Sequence, residues 1–218
     1  RRHTRYISVT GVQTCALPIC YKQTELGIIP ESWKTERLGD LLDYEQPSKY
    51  LVKDVDYDES YSTPVLTAGK TFLLGFTNEK TGIYQNLPVI IFDDFTTDSK
   101  YVTFPFKVKS SAMKILKPKS KELDLIFIYE RMQLIKFQIS IHKRYWLSEY
   151  RNLEIGIPDY SEQIIISKII STFDKLIDNL EKLIEKKKNI KQGTMQKLLT
   201  RGIGHTKFKK VKIGRAHV

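Results

Sequence analysis

Ile157–Asp178, IPDYSEQIIISKIISTFDKLID, is where the hydrophobic period of this chain changes. Before it, Leu153, Ile155 and Ile157 alternate as in a strand, and Pro158 ends the run. After it, from Ser161 to about Thr200, apolar residues recur at helical spacing. One stripe is Ile166, Phe173 and Leu180; a second is Ile169, Leu176, Leu183 and Ile190; a third is Ile170, Ile177, Ile184 and Leu198. The sevenfold recurrence predicts a helix over ~161–200 whose wide apolar face needs cover from another helix. The expected partner-helix interface is Ile166, Ile170, Phe173, Ile177, Leu180 and Ile184. Ser161 is the expected N-cap, with Glu162 near the positive helix end and Lys186, Lys187 and Lys188 toward the other. At 1.5 Å per residue such a helix spans about 60 Å, more than a small domain, so it is expected to project.

Upstream the pattern is mostly strand-like. Tyr21–Trp33 (YKQTELGIIPESW) reads as an extended lead-in with Trp33 as an anchor, followed by a short amphipathic piece carrying Leu38, Leu41 and Leu42. Val89–Phe92 (VIIF) is a continuous apolar run, as in a strand buried on both faces. Tyr101–Lys109 (YVTFPFKVK) alternates: Val102, Phe104, Phe106 and Val108 fall on one face, and Tyr101, Thr103, Lys107 and Lys109 on the other. Pro105 suits an edge position. Leu123–Phe137 is long enough for a helix. The expected architecture is α+β: a mixed-sheet domain over ~21–158, then the long helix over ~161–200.

The 218 residues carry 41% apolar and 28% charged side chains, which supports a packed core and excludes wholesale disorder. No apolar run approaches the ~20 residues of a membrane span. Two cysteines, Cys15 and Cys20, exclude a disulfide scaffold, and so few thiols suit a cytoplasmic location. Lys and Arg exceed Asp and Glu by 11, which points to a polyanionic partner.

Both ends read as foreign to the fold. Gln13–Ile19 and Ile213–Val218 can be encoded by the two strands of one DNA segment, as a translated sequencing adapter would be. Residues 1–19 and 213–218 are therefore expected to pack on nothing. The basic excess survives removal of Arg1, Arg2, Arg5 and Arg215. Tyr21–Gly27 (YKQTELG) is echoed by Phe208–Gly214 (FKKVKIG), which makes 201–212 the expected link to a second, missing repeat.

Ile157–Asp178, with Gln192–Gly204 (QGTMQKLLTRGIG) and Gly27, Ile29, Pro30 and Trp33 of the lead-in, resembles the specificity subunit of type I restriction-modification systems. The resemblance covers nearly all of the segment between the two ends. It implies a target recognition domain that reads one half of a split duplex DNA site, and a helix that pairs as half of an antiparallel coiled coil. It implies methyltransferase and restriction subunits as partners, with S-adenosylmethionine, Mg²⁺ and ATP on those partners and no cofactor or catalysis in this chain. One domain and one helix fall short of the family's two of each. The missing half would come from a second repeat or from a homodimer formed through the long helix.

A duplex binder needs spaced cations for phosphates and polar side chains for base edges. The candidates are Lys70, Lys80, Lys100, Tyr101, Lys107, Lys109, Lys143 and Arg144. Thr71, Thr96, Thr97, Ser99, Ser110 and Tyr145 lie among them. The outward face of Tyr101–Lys109 is the first choice of backbone-tracking surface, and His142–Trp146 (HKRYW) the second. Two rival readings stand beside this one. Asp93, Asp94 and Asp98, with Lys100, could serve a free-standing metal-dependent nuclease. Without any role on DNA, the chain would be a coiled-coil adaptor.

Overall fold

The computed structural model describes residues 20–24, 27–69, 71–139 and 143–207. The expectations for residues 1–19 and 213–218, the repeat at 208–214, Lys70 and His142 fall outside the described residues.

The described residues open with an antiparallel pair of β1 (Tyr21–Thr24) and β2 (Gly27–Pro30). There follow β3 (Lys34–Arg37), the single turn α1 (Leu38–Leu41), β4 (Leu42–Glu45) and a 3-10 turn at Pro47–Tyr50. Next come β5 (Thr63–Leu66), β6 (Leu73–Thr77), β7 (Val89–Asp93), β8 (Ser99–Val102), β9 (Lys107–Val108) and β10 (Met113–Pro118). Then α2 (Leu125–Gln133), the turn α3 (Tyr145–Ser148), β11 (Glu154–Ile157) and α4 (Tyr160–Arg201) complete the order. The fold is α+β, as the period change implies.

The central sheet is antiparallel in the order β4-β10-β7-β8. Its inner strand β7 is buried along its whole length because both faces are covered. Ile90 and Phe92 face one core with Leu116, the helix α2 residues Phe127 and Ile128, and Trp146 of α3. Val89 and Ile91 face the other with Met113, Ile115, Leu66 and Val108. That second core is closed by a smaller sheet, β6-β5-β9, in which β5 runs antiparallel to β6 and parallel to β9. A two-stranded pair, β11 with β3, brings Ile155 and Ile157 onto the first core. A Cβ on Gly156 would come within 2.9 Å of Ile29, so the bare backbone there lets Ile29 and Trp33 seat.

The alternation expected over Tyr101–Lys109 is broken. The chain leaves the central sheet after Val102 and enters the smaller sheet at Lys107, so residues 103–106 reset the phase. Phe104 is exposed, while Lys107 and Val108 are both buried. Pro105 sits in that crossing, where no ladder hydrogen bond is asked of it.

Asp124 caps α2 by accepting the Phe127 N–H at 2.8 Å, so the helix starts two residues later than its apolar run. Asp159, rather than Ser161, caps α4: one carboxylate oxygen accepts the Ser161 hydroxyl (2.5 Å) and the Glu162 N–H (2.9 Å). These bonds, the Ser161 hydroxyl foremost, hold the Asp159 carboxyl below its ordinary range. The cap is two residues earlier because Pro158 already ends β11.

The described residues fall into two units that divide at Ser167 and Lys168, some two turns into α4. In the first unit, Gln163 and Ser167 are buried and Ile166 packs against the first core. In the second, Ile170 is half-buried, and Phe173, Ile177, Leu180 and Ile184 are exposed. Ile166 therefore leaves the expected partner face, because its own domain uses it. Among the described residues no helix is long and apolar enough to cross a membrane.

A buried ion pair joins the first core's parts. Lys114 Nζ lies 3.0 Å from Asp94, and both side chains are at most 2% exposed. The other Asp94 oxygen accepts the Trp146 N–H at 2.8 Å. Asp94→Ala strands both a buried cation and a buried N–H, so urea denaturation is expected to show a loss of about 3–5 kcal/mol.

Candidate nucleic-acid interface

The turn between β7 and β8 is built by one carboxylate. Asp93 Oδ1 accepts the Phe95 N–H at 3.0 Å, and Oδ2 accepts the Thr96 hydroxyl at 2.7 Å and the Gly69 N–H at 3.1 Å. Thr97 takes positive φ (57°) within the turn, and Phe72 does so (37°) in the facing β5–β6 loop. Asp93 thus fixes both the turn and the loop that meets it. Non-glycine residues are held in this conformation only where the surroundings dictate it.

Several candidate cations gather around this turn. Lys100 is exposed on β8, directly after it. The Tyr145 N–H donates to the Asp94 carbonyl at 2.9 Å, which brings the segment before α3 alongside. Arg144 then lies 5.9 Å from the exposed Phe95 ring. Lys109 sits next to the β5–β6 loop: its N–H donates to the Leu66 carbonyl at 2.8 Å, and its Nζ lies 6.0 Å from the Tyr57 ring. Spaced cations over aromatic faces on a rigid turn can track phosphates while the aromatic rings exclude water.

The remaining candidates sit elsewhere. Lys107 is internal: Nζ is 2.7 Å from Glu79 and 2.7 Å from the Thr81 carbonyl, and the side chain is 2% exposed. It is corrected from a phosphate contact to a core ion pair. Burial alone would raise the Glu79 carboxyl, but the Asp54 N–H, the Lys107 ammonium and the Lys53 N–H outweigh it and bring it down to about 2. Tyr101 is half-buried against Tyr129, its phenol pushed up by burial, and so belongs to the first core rather than to an outward face. Lys143 pairs with Glu149 on the surface. Lys80 is exposed beside Glu79, and no recorded contact brings it to the turn.

The acidic cluster has structural employment. Asp93 holds the turn, Asp94 neutralises Lys114, and Asp98 is exposed. Among the described residues no group of three or more His, Cys, Asp or Glu is placed to hold a metal ion. The geometry gives the nuclease reading no support.

Two functional candidates escaped the sequence reading. Phe95 carries one local signal, a lone aromatic inside the polar run DDFTTDS. Gln133 carries none: it ends α2, and its amide N–H donates to Ser99 Oγ at 2.8 Å, a meeting of residues far apart in the chain.

An open cleft of about 260 Å³ lies under the turn, with Ile91 and Met113 at its apolar base and Phe72, Asp98, Lys100 and Gln133 among its walls. The chain belongs to the family of type I restriction modification DNA specificity domains, whose family model matches residues 30–192. It is 49% identical over 147 residues to the EcoR124I/EcoR124II type I restriction enzyme specificity subunit of Escherichia coli, covering 63% of this chain and 36% of that protein. It is 29% identical over 202 residues to the MjaVIII specificity subunit of Methanocaldococcus jannaschii, covering 85% of this chain and 46% of that one. The chain thus spans between about a third and a half of these relatives. The crystal structure of a type I restriction-modification S subunit from M. genitalium shares the fold. Its TM-score is 0.58 at 19% identity, over 76% of this chain and 45% of that one.

Because the Glu79 carboxyl titrates lower folded than its ordinary 4.5, its ion pair stabilises the fold above that value. The contribution is lost as pH falls from about 4.5 toward 2. Acid unfolding followed by circular dichroism is expected to flatten over that interval in Glu79→Gln. Lys107→Glu is expected to lower Tm, whereas Arg144→Glu leaves it within about a degree, as an exposed site should.

Proposed function

We propose that this chain recognises duplex DNA in a sequence-dependent way, as a specificity element of a type I restriction-modification system. The observation that carries the reading is the family match over residues 30–192, which spans both cores and most of α4. The cations around the β7–β8 turn supply its physical counterpart: Lys100, Lys109 and Arg144 are exposed, and none has a carboxylate partner among the ion pairs recorded for the described residues. An unneutralised cation is free to displace a counterion from DNA.

The chain itself performs no chemistry in this reading. It would direct a methyltransferase subunit, which binds S-adenosylmethionine, and a restriction subunit, which uses Mg²⁺ and ATP. The exposed Phe173, Ile177, Leu180 and Ile184 would bury against a second such helix, from another repeat or another copy. At ~25 cal/mol per Å² a few such side chains give several kcal/mol. The work would be done in the cytoplasm, where the DNA is.

Arg144→Ala and Lys109→Ala are each expected to weaken binding to all duplexes alike. Each should reduce the slope of log K against log salt by about 1, measured by fluorescence anisotropy. An unchanged slope in both variants overturns this surface. Leu180→Asp is expected to shift the chain toward its smaller species in sedimentation velocity at fixed concentration. The same distribution as the wild type would count against helix pairing.

A further inference from the structure

We infer that the cleft beneath the β7–β8 turn is a nucleobase-reading pocket, which accepts one base unstacked from the target duplex and reads its edge with Asp98 and Gln133. The inference rests on the DNA reading above and names the part of the chain that supplies sequence information.

Three properties of the cleft carry it. The first is size. A dry cavity of about 150 Å³ takes a benzene ring, and this one measures about 260 Å³ and opens to solvent. The second is chemistry. Its base is apolar (Ile91, Met113), Phe72 adds an aromatic side chain to the lining, and Asp98 is an acceptor. Gln133 spends one amide N–H on Ser99 Oγ, which orients the group and leaves a carbonyl and a second N–H for a ligand. A carboxylate acceptor beside an amide suits a base edge, which carries donors as well as acceptors, whereas phosphate oxygens only accept. The third is rigidity. Asp93 ties both walls together through Gly69, Phe95 and Thr96, and the positive-φ residues Phe72 and Thr97 lie in the segments so tied.

Concavity decides how the base is read. Edges of stacked base pairs are read by side chains that protrude into a groove. A recess can meet a base only if the base leaves the stack. Exposed Phe95, in the turn between the cleft-lining Asp93 and Asp98 and with Arg144 at 5.9 Å, is the apolar side chain available to fill the gap left behind. Apolar side chains that enter a base step do this at a cost of a few kcal/mol in unstacking.

The full chain is incubated with a randomised duplex library and the enriched sequences are read. Asp98→Asn and Gln133→Ala are compared with the wild type, both at exposed positions where Tm serves as the folding control. The wild type is expected to enrich a motif. The two variants should enrich the same motif with one position made degenerate, a loss of roughly tenfold in discrimination there, and with an unchanged salt slope. A motif duplex carrying a mismatch at that position should bind the wild type several-fold more tightly, because the mismatch lowers the cost of extrusion. A motif that is identical in both variants overturns the pocket and leaves the DNA reading standing. A degenerate position at which the mismatch weakens binding also overturns it, because the base is then read in place. If the wild type enriches nothing and its binding ignores salt, the DNA reading itself fails, and the pocket with it.

Discussion

Two adjacent carboxylates at the end of β7 hold the β7–β8 turn, the β5–β6 loop and α3 together. The strand is apolar on both faces, so cores form on either side of it and its last residues are carried into the interior. Asp93 turns toward the loops and satisfies three donors there. Asp94 turns the opposite way, onto Lys114 and the backbone of α3. Asp93 ends the strand and Asp94 begins the turn, and their side chains have separate partners, so one dipeptide organises both the turn and the segment that carries Arg144. Desolvating two carboxylates is costly, and every oxygen contact recorded for them is compensating.

The start of α4 is fixed by a similar economy. The Asp124 N–H donates to Gln163 Oε1 at 2.9 Å, and Gln163 Nε2 donates to the Pro158 carbonyl at 3.1 Å. Asp124 also accepts the Ser167 hydroxyl while capping α2. Trp33 adds an indole N–H to Glu162 at 3.3 Å and an edge contact with Phe127. The lead-in, α2 and the first turns of α4 therefore meet in one hydrogen-bonded corner. Gln163 and Ser167 are polar residues in an apolar helical pattern, and they are buried because that corner needs their donors and acceptors.

The candidate site was legible only in part, and the reasons are physical. Lys100 and Arg144 could be chosen because a long cation beside a turn is usually solvated, and they are exposed. Lys107 was misplaced because alternation assumes one continuous strand. The chain changes sheets at residues 103–106, and Glu79, distant in sequence, makes burial of the ammonium tolerable. Tyr101 went astray because its neighbour Tyr129 comes from α2. Phe95 and Gln133 flank or line the cleft only through the way β7, β8 and α2 pack, and no spacing rule encodes that.

By itself the sequence determined what local chemistry can determine. The change from period 2 to period 3.6 at Pro158 set the boundary between sheet and long helix. The run VIIF set a strand buried on both faces, and the excess of Lys and Arg set the basic character from which an anionic partner is proposed. Tertiary structure alone decided which cations are spent inside the protein and which remain exposed. It also decided which apolar residue of α4 belongs to its own domain, and where a cleft of nucleobase size opens. These are long-range outcomes: each depends on which distant carboxylate, carbonyl or ring the chain brings within a few ångströms, and a linear pattern carries no record of that.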